Sequence, residues 1–169
     1  NIILPSQGIH LVFDKKYFPG NAAMLIPKVD DGRVLFAVPW HDKVIVGTTD
    51  TEIDIPGLEP VPLQAEVEFI LQHINKFLNV TLQRKDVLSV FAGLRPLVKK
   101  TRSQKTASMS RNHTIIVSRS GLVTITGGKW TTYRNMAEHA VDKAITSAGL
   151  QWVDCQTKNL QLHGYSVTT

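Results

Sequence analysis

The chain has a single cysteine, Cys155, and that scarcity closes several routes at once. One thiol forms neither an intrachain disulfide nor a multi-cysteine zinc site, and it fits a reducing compartment. No apolar run approaches the roughly 18–20 residues of a membrane-spanning helix. The sequence does not open on the charged, apolar and small-residue pattern of a secretory signal, and it contains no internal repeat or low-complexity tract. The fingerprint GxGxxG is absent, so nothing in these residues by itself cradles a dinucleotide pyrophosphate. The histidines His41, His73, His113, His139 and His163 show no HExxH-type spacing, no metal site is expected, and no nucleophile elbow occurs. The first residue is Asn1 and not methionine, so a segment of something longer is expected.

What remains is a mixed composition with enough apolar residues (43%) to bury a sizeable core, and the usual prior for this length is one domain. The net charge of +5 is unevenly spread. Residues 98–112 carry Lys99, Lys100, Arg102, Lys105 and Arg111 with no acidic residue among them. Such a run suits phosphate, nucleic acid or an anionic membrane surface, and equally a solvated loop with no dedicated partner. Aromatics are not interleaved with these charges, which makes nucleic acid the weaker of the specific partners.

The first half reads as β-structure. Ile9, Leu11 and Phe13 alternate with His10, Val12 and Asp14, the period of a half-buried strand. Residues 22–29 and 33–40 flank Asp30-Asp31-Gly32, a hairpin signal, and 43–48 adds a third antiparallel strand after a turn at His41-Asp42. Pro56, Gly57, Pro60 and Pro62 mark a loop. Leu63, Val67, Ile70, Leu71, Ile74, Phe77 and Leu78 recur at helical spacing, which predicts an amphipathic helix over 62–79 packed on the sheet. Residues 87–91 read as a strand, as do 114–118 and 122–126. Trp130, Tyr133, Met136, Ala137, Ala140, Val141, Ala144 and Ile145 give a second helix one apolar face, with Gly149 as its stop. The tail 151–169 shows no clear period.

The most informative stretch is 121–134, GLVTITGGKWTTYR. A β-rich run stops at Gly127-Gly128 and a helix-like pattern follows, exposing backbone N–H groups and removing side chains that would keep a ligand away. Lys129 is placed in the first helical turn, where a cation opposes the helix dipole. A site for an anionic or electron-rich partner explains this, as does an ordinary turn with a solvated lysine. Arg95 precedes Pro96, which holds its backbone extended, and its guanidinium suits a phosphate, a carboxylate or a structural salt bridge. His10, on the strand face opposite Ile9 and Leu11, has the pKa range for proton transfer, although a merely packed or exposed histidine would look the same. Thr48-Thr49-Asp50 reads as a polar turn in preference to an active-site edge. On the residues alone the fold class is α+β, a mainly antiparallel sheet packed with a helix, with a possible anion site and no assignable reaction.

As an ordered set, GIHLV around His10, Pro39-Trp40, VGTTDTE from Val46, AGLRPL from Ala92, SRNH from Ser110 and GGKWTTYR from Gly127 closely resemble the FAD-dependent glycerol-3-phosphate dehydrogenases, members of the wider glycine-oxidase-like flavoenzymes. The resemblance covers roughly residues 8–148. It implies an oxidoreductase that converts sn-glycerol 3-phosphate to dihydroxyacetone phosphate on FAD. Electrons would pass to membrane quinone, or to oxygen in the oxidase branch, and the full-length enzyme would be cytoplasmic and peripheral on the cytoplasmic membrane. It further implies that Arg95 and Arg111 bind the substrate phosphate and that His10 is the base. Lys129 would lie beside the flavin and the reacting hydroxyl, while Gly127, Gly128, Trp130 and Thr131 would line the flavin's pyrimidine end. The family's N-terminal half, with the glycine-rich turn that holds the ADP part of FAD, has no counterpart here, nor has most of its C-terminal helical region.

The expected organisation is a substrate-binding antiparallel sheet domain over 1–112, a returning strand–Gly-Gly–helix segment of the FAD domain over 113–150, and a tail over 151–169. Such a fragment alone is expected neither to hold FAD tightly nor to turn over. A related flavin oxidase acting on an amino acid or 2-hydroxy acid, and a non-catalytic anion- or membrane-binding module, are the alternatives.

Overall fold

The alternation at Ile9, Leu11 and Phe13 becomes part of a 12-residue strand, β1 (Ile3–Asp14), with those three side chains fully buried. In the computed structural model, which describes residues 2–27, 29, 32–98 and 112–165, the chain divides into two units, Asn1–Met109 and Ser110–Thr169.

In the first unit, β1 is the centre of an antiparallel sheet. On one edge it pairs with β4 (Lys43–Gly47), in the register His10 opposite Gly47, and with β5 (Thr51–Glu52). On the other edge it pairs along its length with β6 (Val87–Val98), in the register His10 opposite Phe91 and Ser6 opposite Arg95. Beyond β4 the sheet continues through β3 (Leu35–Trp40) to β2 (Met24–Ile26). The turn between β3 and β4 falls at His41-Asp42 as the sequence suggests, with His41 at φ 53°. Asp30 and Asp31 lie outside the described residues. Beside them Gly32 sits at φ 82°, and its N–H donates to the carbonyl of Val29 at 2.7 Å.

Several expected boundaries move. Strand β6 runs through Pro96 to Val98 instead of ending near residue 91. It pairs only with β1, so it is an edge strand, where a proline's missing N–H removes nothing that the ladder uses. The amphipathic helix α1 is shorter than its apolar pattern, spanning Gln64–Ile74. It stops because the Asn75 side chain takes over the local backbone: Oδ1 accepts the N–H of Leu82 at 2.8 Å and Nδ2 donates to the Leu82 carbonyl at 2.9 Å. Val67, Ile70 and Ile74 of α1 close one core with Ile9, Leu11, Phe13, Ile26, Leu35, Ala37, Val44 and Val46. Each such side chain contributes about 1.5–3 kcal/mol by leaving water, which fixes which sheet face is inside. The opposite face is left for other work.

The second unit pairs β7 (His113–Val117) with β8 (Val123–Gly127) as an antiparallel ribbon, against which α2 (Tyr133–Ala148) packs. Gly149 ends α2 in the left-handed region at φ 64°, the expected stop. None of its described residues is buried. Trp130 stands outside α2, in a short 3-10 turn over Trp130–Thr132, and is 88% exposed. The tail is irregular apart from one further turn at Thr157–Asn159.

Candidate active site

Because successive strand side chains alternate, burying Ile9 and Leu11 against α1 turns Gly8 and His10 to the other face of the sheet. The register adds Phe91 and Arg95 from β6 and Gly47 from β4 to that face. The two glycines make room for the two functional side chains. A Cβ at position 8 would stand 2.2 Å from Arg95 Nη2, and one at position 47 would stand 2.4 Å from His10 Cδ2. His10 lies flat against Phe91, with ring centroids 5.0 Å apart and planes 13° from parallel. Its imidazole is thus clamped between a phenyl ring and bare backbone.

Burial foremost, and then the positive charge of Arg95, hold the His10 pKa below its usual 6.5. The neutral ring, ready to accept a proton, is the resting form at neutral pH. The Arg95 guanidinium is oriented by the segment after β4: Nη1 donates to the Thr49 carbonyl at 3.1 Å and Nη2 to Thr48 Oγ1 at 2.9 Å. The stretch 48–50 is not the polar turn that the sequence suggests: it carries the chain on from β4 to β5 along the same edge of β1, and it braces Arg95. The Ser6 hydroxyl donates to the Asp50 carboxylate.

On the inner side of the sheet lies Glu66, 4% exposed, in the first turn of α1. Its carboxylate accepts from the Leu63 N–H at 3.0 Å, Gln7 Nε2 at 2.7 Å, and the hydroxyls of Thr49 and Thr51 at 2.8 Å each. Burial works against its charge, but these four donors outweigh burial and hold its pKa below the ordinary value. The Thr49 hydroxyl in turn accepts the Ile9 N–H at 3.0 Å. Glu66, Gln7, Gly8 and Gly47 were not among the expected site residues. The legible signal was Glu66 itself, four residues before Ile70 and so on the apolar stripe of its helix.

In the second unit Gly127 and Gly128 both take positive φ, 74° and 86°, and the strand does end there. Lys129 is not in a helical turn, however. It is extended at φ −134° and ψ 149°, and α2 begins only at Tyr133, so the conflict with the helix dipole does not arise. The glycine pair has already turned the chain, and the intervening 3-10 turn re-aims it. A Cβ on Gly128 would come within 2.4 Å of Met136 Sδ, so the space beside that glycine is used by α2 packing against the ribbon. Lys129, Trp130 and Thr131 are exposed, and Gly127 is half-buried.

His10 and Arg95 thus share one face of the first unit, and Gly127, Gly128, Lys129, Trp130 and Thr131 follow one another in the second. Arg111 and the basic run 99–111 lie outside the described residues. A cavity of about 380 Å³ in the first unit, lined among others by Tyr17, Met24, Val44, Phe77 and Leu78, includes neither His10 nor Arg95. Among the described residues no three His, Cys, Asp or Glu side chains converge to hold a metal, and no helix is long and apolar enough to cross a membrane.

No family model matches the chain. It is 46% identical over 164 residues to a mitochondrial glycerol-3-phosphate dehydrogenase of Arabidopsis thaliana, covering 96% of this chain and 26% of that protein. This chain is a relative of the glycerol-3-phosphate dehydrogenases. The human mitochondrial enzyme of that name is 42% identical over 165 residues, covering 96% of this chain and 23% of its own length. Among solved structures, the glycerol-3-phosphate dehydrogenase of Bacillus halodurans complexed with FAD matches with a TM-score of 0.69 and 36% identity, covering 88% of this chain and 28% of that one. The chain spans about a quarter of the length of the glycerol-3-phosphate dehydrogenases that it matches.

Proposed function

We propose that this chain supplies the substrate-binding face, and one flank of the flavin site, of an FAD-dependent oxidoreductase that converts sn-glycerol 3-phosphate to dihydroxyacetone phosphate. The observation that carries the reading is the pair of glycines, Gly8 and Gly47, that let a guanidinium and a neutral imidazole lie on one sheet face. Kinship with glycerol-3-phosphate dehydrogenases, one of them solved with FAD, supports the choice of substrate and cofactor. The planar fork of Arg95, held by Thr48 and Thr49, suits bidentate contact with a phosphate, and Arg111 is the proposed second anion ligand. Oxidising a secondary alcohol requires its hydroxyl proton to leave. A ring nitrogen of His10, neutral because burial and Arg95 disfavour its cation, is the proposed acceptor.

The second unit fits a flavin in part. Gly127 at positive φ and the extended Lys129 leave main chain and an exposed ammonium beside the strand end, and Trp130 and Thr131 follow on the surface. Gly128 is accounted for by its positive φ and by Met136. When bound, the flavin would accept the hydride from the carbon that carries the hydroxyl. Lys129 would then offer positive charge where reduction leaves negative charge. Passage of the electrons to membrane quinone, and a peripheral seat on a membrane, rest on the family resemblance. The Arabidopsis and human relatives are mitochondrial by name.

In the intact protein Arg95→Ala should weaken glycerol 3-phosphate binding by about 2–5 kcal/mol, the cost of removing one partner of a desolvated charge pair, read as a rise in KM. Lys129→Ala should instead slow flavin reduction in single-turnover absorbance. Steady-state and single-turnover constants left unchanged in both variants would remove the assignment. Preference for an amino acid or unphosphorylated 2-hydroxy acid in a substrate panel would redirect it.

A further inference from the structure

A buried carboxylate needs a reason, since leaving water is costly unless every lone pair is satisfied. Glu66 has four donors and remains the charged form, yet none of the four is a cation. Its bonds reach three separate parts of the fold: Gln7 on β1, the start of α1 at Leu63, and Thr49 and Thr51 on the segment that follows β4. That same segment passes through the sheet edge to the opposite face, where the Thr49 carbonyl and the Thr48 hydroxyl receive the Arg95 guanidinium. Thr49 is the link, because its hydroxyl donates to Glu66 and accepts from the Ile9 N–H, while its carbonyl holds Arg95.

We infer that Glu66 is a positioning residue for the anion site: by tying Thr49 and Thr51 to α1 and β1, it fixes the geometry with which Arg95 meets its ligand. The inference deepens the reading of Arg95 as the phosphate anchor and rests on it for the nature of that ligand. A glutamine at 66 cannot replace the carboxylate fully. Its single oxygen can serve Leu63 and Gln7, but its NH2 group must then face the two threonine hydroxyls. Thr49 already accepts from Ile9, so its own proton is left without an acceptor. Glu66→Gln should therefore loosen the segment without emptying the space.

The test combines kinetics with a spectroscopic readout on Arg95. In the intact protein Glu66→Ala should raise KM for glycerol 3-phosphate tenfold or more with kcat within about twofold, and Glu66→Gln should do so more mildly. The Glu66→Ala, Arg95→Ala double variant should be no worse than Arg95→Ala alone. In parallel, the guanidinium 15N–1H resonances of Arg95 should lose their protection from solvent exchange in Glu66→Ala and Glu66→Gln. Should Glu66→Ala fail to fold, Glu66→Gln and Thr49→Val carry the same readouts. Unaltered KM and unaltered Arg95 resonances in a folded variant, or fully additive effects in the double variant, would overturn the role. Altered Arg95 resonances beside a KM that Arg95→Ala itself does not change would keep the brace and remove the phosphate reading.

Discussion

His10 shows how a single residue acquires a chemistry from what its neighbours lack. With no side chain at Gly47 and a phenyl ring at Phe91, the imidazole is drawn against the sheet and partly out of water. Desolvation then favours its neutral form, and the nearby Arg95 adds to the effect. The sign follows directly. Between the lowered pKa and 6.5 the unfolded chain binds more protons at this position than the folded chain does. This residue therefore destabilises the fold as pH drops through 6.5, and above that value it contributes no pH dependence. A ring-proton NMR titration of His10 should give a midpoint below 6.5, moving upward in Arg95→Ala because a lowering charge is removed. A midpoint at or above 6.5 in the wild type would refute the resting neutral base. The same logic makes Gly8 a residue of consequence, since a methyl there would push the guanidinium aside.

At the scale of elements, the run from β8 into α2 is the place where local pattern and tertiary packing part company. The pattern at 127–128 marked a turn correctly, but it gave two reasons for glycine and the fold uses a third. Both residues need positive φ, and Gly128 also lies against the Met136 side chain of the helix that follows. Gly128→Ala should therefore cost stability twice: about 1 kcal/mol for the left-handed backbone and a further amount for the clash. A second substitution, Met136→Ala, should recover the steric part and leave the backbone part. Chemical denaturation of the three variants checks this, and a double variant no more stable than Gly128→Ala alone would show that Met136 is not the obstacle. Helix α1 differs in kind, because its fully buried Ile70 and Ile74 tie it to β1, whereas α2 buries no residue.

Across the whole molecule that difference divides the two units. The first unit encloses a continuous core around β1, and the second has no buried residue among those described. Local opening free energy follows buried apolar contact and protected backbone bonds. Amide hydrogen exchange should thus show two classes, slow in β1, β4, β6 and α1 and markedly faster in β7, β8 and α2. Equal protection in the two sets, measured on the same chain, would mean that the second unit draws stability from contacts other than its own.

The amino-acid sequence by itself determined the alternation that puts Ile9, Leu11 and Phe13 inside and His10 outside, the hairpin turn at His41-Asp42, and the glycine stop after α2. It did so because strand period, turn chemistry and caps depend on neighbours along the chain. The ordered motifs also made the family legible before any coordinates. Only the tertiary structure decided that Thr49 and Glu66 stand behind Arg95, that Gly8 and Gly47 clear its face, and that Lys129 precedes the helix. Those facts depend on register between strands distant in sequence and on which backbone groups a buried carboxylate meets, and no local pattern encodes either.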